Sequence, residues 1–133
     1  MEYIFRGFDA VGDKGWVYGD LVHNQKVTVD GLEDRVMVGG YEVVPESVGI
    51  FTGLNDMYGK RIFEGDIVYV TYVDGMIDVC SKAFVKYQYD GFVLCVIDMV
   101  KFLPLTRSVE VVGTEYEYKQ TLRHSAGYDI RKS

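Results

Sequence analysis

The sequence predicts a mostly β protein: a small SH3-like or pseudo-barrel core with an N-terminal β extension and little helix. Three observations lead there. The 133 residues include fifteen glycines and eleven tyrosines but only two prolines, a composition of strands and turns. No stretch sustains a long 3.6-residue apolar repeat. Short β-branched and aromatic runs are instead separated by pairs such as Asp30-Gly31, Gly39-Gly40, Asp74-Gly75 and Asp90-Gly91, which have hairpin-turn chemistry.

Taken in order, residues 3–8 alternate loosely as a first strand, and the polar loop 9–15 returns the chain through a second strand at 16–21. A short strand at 26–29 precedes the Asp30-Gly31 turn, and two more, 35–38 and 41–44, flank Gly39-Gly40. Pro45 ends the pairing, and residues 45–49 have room for one turn of helix.

Residues 52–66 are the most informative. Gly53, Gly59 and Gly65 stand six residues apart, each where a chain reversal fits. Asn55 and Asp56 can fold their side chains onto nearby backbone N–H groups, and a type II turn with Gly59 third is expected. Glu64-Gly65-Asp66 makes a second turn, in which the Asp66 carboxylate can accept hydrogen bonds from unpaired amides. These turns aim a central strand at 67–73. Further strands follow at 76–79, at 82–89 with Val85, Tyr87 and Tyr89 on one face, at 92–97, within 99–105 as far as Pro104, and at 109–118 with a bulge near Gly113. The rhythm divides one domain, 1–133, into a β extension (1–48), a barrel-like core (49–118) and a basic tail (119–133).

The segment TGLNDMYGKRIFEGDIV, residues 52–68, resembles the signature of the YopX family of phage and prophage proteins, through Gly53, Leu54, Asp56, Gly59, Lys60, Glu64, Gly65 and Asp66. FRGFD at 5–9, followed by Trp16-Val17-Tyr18-Gly19, and VEVVGTEYE at 109–117 match weaker family features. The resemblance implies a β-rich fold and a phage or prophage context in a bacterium, but no reaction. Met57-Tyr58 stands where the family commonly has lysine-asparagine, and Tyr118 to Leu122 stands where it often continues with asparagine-proline and a short helix.

The net charge is −6, and its distribution is uneven: residues 1–118 hold 10 Lys+Arg against 19 Asp+Glu, residues 119–133 four against one. An acidic body disfavours duplex nucleic acid, whose affinity comes from clustered cations. The sequence has no run approaching the ~20 apolar residues of a membrane helix and no signal-peptide pattern at its start, so no membrane and a cytoplasmic location in the host are expected. Cys80 and Cys95, outside any CxxC pair, are expected as buried reduced thiols.

Catalytic and ligand motifs fare poorly. Between Gly53 and Gly59-Lys60 lie five residues where a phosphate-binding loop has four, and Arg61 replaces the Ser/Thr that would hold magnesium. An EF-hand alignment puts Leu54 first and Gly65 last, neither a calcium ligand. His23 and His124 lie in polar stretches far from each other, and Ser47, Ser81 and Ser108 lack a nucleophile elbow. No catalytic residue, cofactor or metal is therefore expected. Trp16 and Tyr18 form the candidate interaction surface, as a stacking platform or as ordinary cross-strand aromatics. The expected function is a non-enzymatic module that binds a protein partner, a second copy of itself included. A small barrel for single-stranded nucleic acid is the alternative.

Overall fold

The computed structural model describes residues 3–88, 91–97 and 101–132, with side chains as far as Arg123. The expected Asp90 turn, Tyr89, Met99 and the His124 side chain lie outside the described residues. Over the described residues the protein is mostly β, with antiparallel sheets and one α-helix, and it divides into two compact units, Met1–Phe51 and Thr52–Ser133.

In the first unit, β1 (Phe5–Phe8) pairs with β2 (Trp16–Gly19) from Phe5 opposite Gly19 to Phe8 opposite Trp16. On its other side β1 meets the start of β6 (Gly49–Asn55), with Arg6 opposite Gly49. The early motif is used in full. Gly7 lies against Val43, whose side chain a Cβ there would approach to 2.8 Å. Buried Asp9 accepts hydrogen bonds from the N–H groups of Val11 and Lys14 at 3.1 Å each, holding the 9–15 loop. β3 (Leu21–Thr28), β4 (Gly31–Val38) and β5 (Tyr41–Val43) form a second, three-stranded sheet in that order. Pro45–Ser47 is a single 3-10 turn, and Ser47 Oγ accepts from Phe8 N–H at 2.8 Å. Val17, Val38 and Val43 form the unit's core, with Phe5, Leu21, Val36 and Val48 packed on it.

β3 and β4 are longer than the sequence pattern suggests, since the expected strand at 26–29 is the far end of an eight-residue one. The reason is solvation. β5 covers β4 only at residues 36–38, so the rest of the β3–β4 ribbon has no buried face to impose apolar alternation.

In the second unit, β7 (Arg61–Phe63) leads to a five-stranded sheet ordered β11-β10-β9-β8-β12. Its strands are β8 (Asp66–Asp74), β9 (Ile77–Gln88), β10 (Gly91–Val96), β11 (Phe102–Pro104) and β12 (Val109–Thr114). Ile62, Val68, Val70, Ala83, Val85, Leu94, Val96, Val109 and Val111 pack into one core. β9 joins the expected strands at 76–79 and 82–89 into one. Its first half has only β8 beside it, and that exposure leaves Cys80 in solvent rather than buried; Cys95 is partly buried, and both thiols are free. The register skips Val112 between Val111 opposite Val68 and Gly113 opposite Ile67, a bulge at the expected place.

The expected last strand is corrected at its end. β12 stops at Thr114, and residues 115–118 begin the helix α1 (Glu115–Lys132), which takes in the basic tail. Thr114 Oγ1 accepts from Glu117 N–H at 3.1 Å and bonds the Glu117 carboxylate at 3.0 Å, so the Thr-x-x-Glu spacing of a helix start overrides strand composition. Glu115 and Glu117 also place negative charge in the first turn.

Candidate functional site

The signature segment builds one tightly bonded region of the second unit. Thr52 Oγ1 donates to the Ile62 carbonyl at 2.8 Å, which ties the two arms of the signature hairpin together, and Leu54 packs on the core. Gly53, at φ 90 within β6, faces open space. The loop between β6 and β7 closes through Gly59 N–H to Asp56 carbonyl at 3.0 Å and Asp56 N–H to Lys60 carbonyl at 2.7 Å. Gly59 therefore stands fourth in the turn rather than third, at φ 83, the left-handed residue that ends a three-residue hairpin loop. In the next turn, Phe63-Glu64-Gly65-Asp66, it is Gly65 that stands third, at φ 91.

Asp56 is the centre of this region. Its Oδ1 accepts from Tyr58 N–H at 2.9 Å and Lys60 N–H at 2.8 Å, while its Oδ2 accepts from Val111 N–H at 2.9 Å, fifty-five residues away. Burial works to raise its pKa, but the Val111, Lys60 and Tyr58 amides and the charge of Lys60 outweigh that and hold the carboxyl below the ordinary aspartate value. Met57 N–H bonds the Val109 carbonyl at 3.0 Å beside it. Together Asp56 and Met57 occupy the outer edge of β12.

Asp66 is fully buried, and its Oδ2 accepts from Phe63 N–H at 2.7 Å across the second turn. Gly65 reaches both ways: its N–H donates to the Val85 carbonyl at 2.9 Å, and its carbonyl accepts from Glu115 N–H at 2.7 Å, where α1 begins. Glu115 also holds Lys86 and Lys119, the latter at 3.1 Å. Here too burial pushes the carboxyl up, and the two lysines bring it below the ordinary glutamate value. Glu64 is half-buried, and the Lys60 side chain is exposed. The signature thus joins a hairpin, a sheet edge and a helix start, all through backbone groups.

The other candidate residues lie in the first unit. Trp16 is half-buried edge-on to Phe8, ring centres 5.5 Å apart, with the Arg6 guanidinium 4.6 Å from its centre. Phe8 and Arg6 thus engage the Trp16 ring within its own unit, and Tyr18 is exposed. Sequence reasoning read strands within the β3–β4 ribbon but singled out none of its residues as a surface. An open hollow of about 450 Å³ lies along it, lined by His23, Gln25, Asp34, Arg35 and Pro45 among others. Cross-strand pairs line it: Gln25 Nε2 to Asp34 Oδ1 at 2.9 Å, and Arg35 Nε to Asn24 Oδ1 at 2.6 Å. Toward the tip, Val27, Val29 and Leu32 are exposed. A run of apolar side chains beside polar residues on both strands was the available signal. Among the described residues no three His, Cys, Asp or Glu groups are placed to hold a metal, and no helix is long and apolar enough to cross a membrane.

These features define a mostly β protein of two small antiparallel units, in which a carboxylate-centred turn seals a sheet edge. The chain belongs to the YopX family: the family described as YopX protein matches residues 4–122. Among solved structures it is similar to protein EF1440 from Enterococcus faecalis, with a TM-score of 0.51 and 20% identity over 92% of this chain and 99% of that one, a likeness of fold. No curated protein matches.

Proposed function

We propose that the chain is a non-enzymatic β module whose work is to bind another protein, in the phage or prophage setting that its family resemblance implies. One observation carries this reading: the β3–β4 ribbon extends past its sheet and presents Val27, Val29 and Leu32 to solvent at 84%, 102% and 68% exposure. A two-stranded ribbon is marginally stable in water by itself, and exposed apolar side chains at its tip cost solubility unless something covers them. The Asp56 and Asp66 carboxylates of the signature are meanwhile committed to backbone amides, which suits scaffolding rather than turnover. Trp16, engaged by Phe8 and Arg6, gives little support to stacking of single-stranded nucleic acid.

The test is capture from lysogenic or infected bacterial cells by the full chain and by a Val27→Ser/Val29→Ser/Leu32→Ser variant. A protein retained by the parent and lost by an equally folded variant is the expected result. Micromolar binding of an oligonucleotide that weakens steeply with salt would contradict the reading.

A further inference from the structure

Resting on that protein-binding reading, we propose that the outer edge of β3 pairs with the same edge of a second copy of the chain, antiparallel about a two-fold axis through Asn24. β3 is the terminal strand of its sheet, and its eight residues pair with β4 in unbroken register from Leu21 opposite Val38 to Thr28 opposite Gly31. One whole side of its backbone therefore faces away from the sheet, a ready template for another strand.

The chain guards the other edges of its three- and five-stranded sheets. Asp56 and Met57 occupy that of β12. On β5, the Val44 N–H bonds the Phe8 carbonyl and the Glu42 carbonyl takes the Ala10 N–H, both at 2.9 Å. β11 is three residues long and ends in Pro104. β3 has no proline and no bulge, and among the described residues none is bonded along its outer backbone. Its one lysine, the usual guard of an open edge, is drawn onto its own sheet, with Lys26 Nζ 2.9 Å from Glu42 Oε1.

The strand is also complementary to itself. A two-fold axis perpendicular to the ribbon keeps each side chain on its own face. Centred on Asn24, it sets Leu21 opposite Val27, Val22 opposite Lys26 and His23 opposite Gln25, so apolar side chains meet and no like charges are opposed. The whole ribbon, residues 21–38, carries two basic and three acidic side chains, so two copies approach through a nearly neutral part of an acidic chain. Isologous pairing of this kind uses the edge in both copies and closes the assembly as a dimer. A single strand pair is a small interface, so the dimer belongs to the weak class, with a micromolar dissociation constant.

The test is sedimentation equilibrium on the full chain and two charge variants at one position, with circular dichroism confirming that each is folded. The parent is expected to dimerise. Val22→Lys sets lysine against the other copy's Lys26 and should weaken the dimer about tenfold or more, whereas Val22→Glu faces that lysine with a carboxylate and should hold or tighten it. In a Cys80→Ser background, Asn24→Cys should form an intermolecular disulfide on mild oxidation, since opposed strand positions lie within disulfide reach. A parent that stays monomeric into the sub-millimolar range, or a dimer indifferent to Val22→Lys, overturns the self-pairing. Neither result touches the capture experiment above, which decides the broader reading by itself.

Discussion

The outer edges of β12 and β3 pose the same physical problem and receive opposite treatment. Along β12, the Val111 N–H goes to Asp56 and the Val109 carbonyl to Met57, so the signature loop completes the strand's hydrogen bonds as a neighbouring strand would. Along β3, eight residues end their sheet, and among the described residues no strand pairs with their outer side. The sealed edge is where the chain spends its most specific sequence, and the open one is where ordinary polar residues stand among the exposed Val22 and Val27. The difference teaches that Asp56 and Met57 of the signature seal a sheet edge, and it is the open edge that our proposal gives to a partner.

Removing the seal should have the largest effect. Asp56→Ala leaves the amides of Tyr58, Lys60 and Val111 without their acceptor, and since that of Val111 is buried the loss should reach about 3 kcal/mol or more, read as a lower denaturation midpoint. Asp56→Asn keeps one acceptor oxygen and should cost less. Equal stability of both variants and the parent would break the comparison.

Acid should act on the same bonds. The folded-state pKa values of Asp56 and Glu115 lie below their ordinary values of 3.8 and 4.5. A depressed carboxyl stabilises the fold above its unfolded pKa, and that contribution disappears as pH falls through the folded value. Stability should hold as pH is lowered to about 4.5 and drop below it, and Asp56→Asn should show a shallower drop over that acid range. A denaturant midpoint independent of pH there would contradict the assignment.

Smaller effects sharpen the contrast. Gly59 sits at φ 83 with open space where a Cβ would go, so Gly59→Ala meets backbone strain without a clash and should cost about 1 kcal/mol. Smallest of all, Val27→Ser/Val29→Ser/Leu32→Ser should change stability by about 0.5 kcal/mol or less per position, because these side chains are already in solvent.

Much of the fold was legible because composition and turn chemistry agreed: the Gly39-Gly40 turn, the central strand and the bulge at Gly113 are where glycines and β-branched runs put them, while the turns read at Asp30-Gly31 and Asp74-Gly75 fall one residue away, at Val29-Asp30 and Gly75-Met76. The misreadings have local causes. The helix at Glu115 hides in a β-like run of tyrosines, and only the Thr114-x-x-Glu117 spacing betrays it. The position of Gly59 in its turn depends on hydrogen bonds that Asp56 makes, which composition does not specify. Asp66 was the conspicuous carboxylate of the signature, yet Asp56 reaches furthest, because its partner at Val111 lies fifty-five residues away and no local pattern encodes that contact. Only parts of the β3–β4 ribbon were read, as strands at 26–29 and 35–38, for the opposite reason: with little buried face, it has little periodicity.

Residue-resolved amide hydrogen exchange on a dilute sample tests the contrast most directly. The Val111 amide, bonded to a buried carboxylate, should exchange only with global unfolding, while alternate amides of Leu21–Thr28, those pointing away from β4, should exchange rapidly. A Val111 amide that exchanges as fast as the outward amides of β3 would show that Asp56 does not seal its edge.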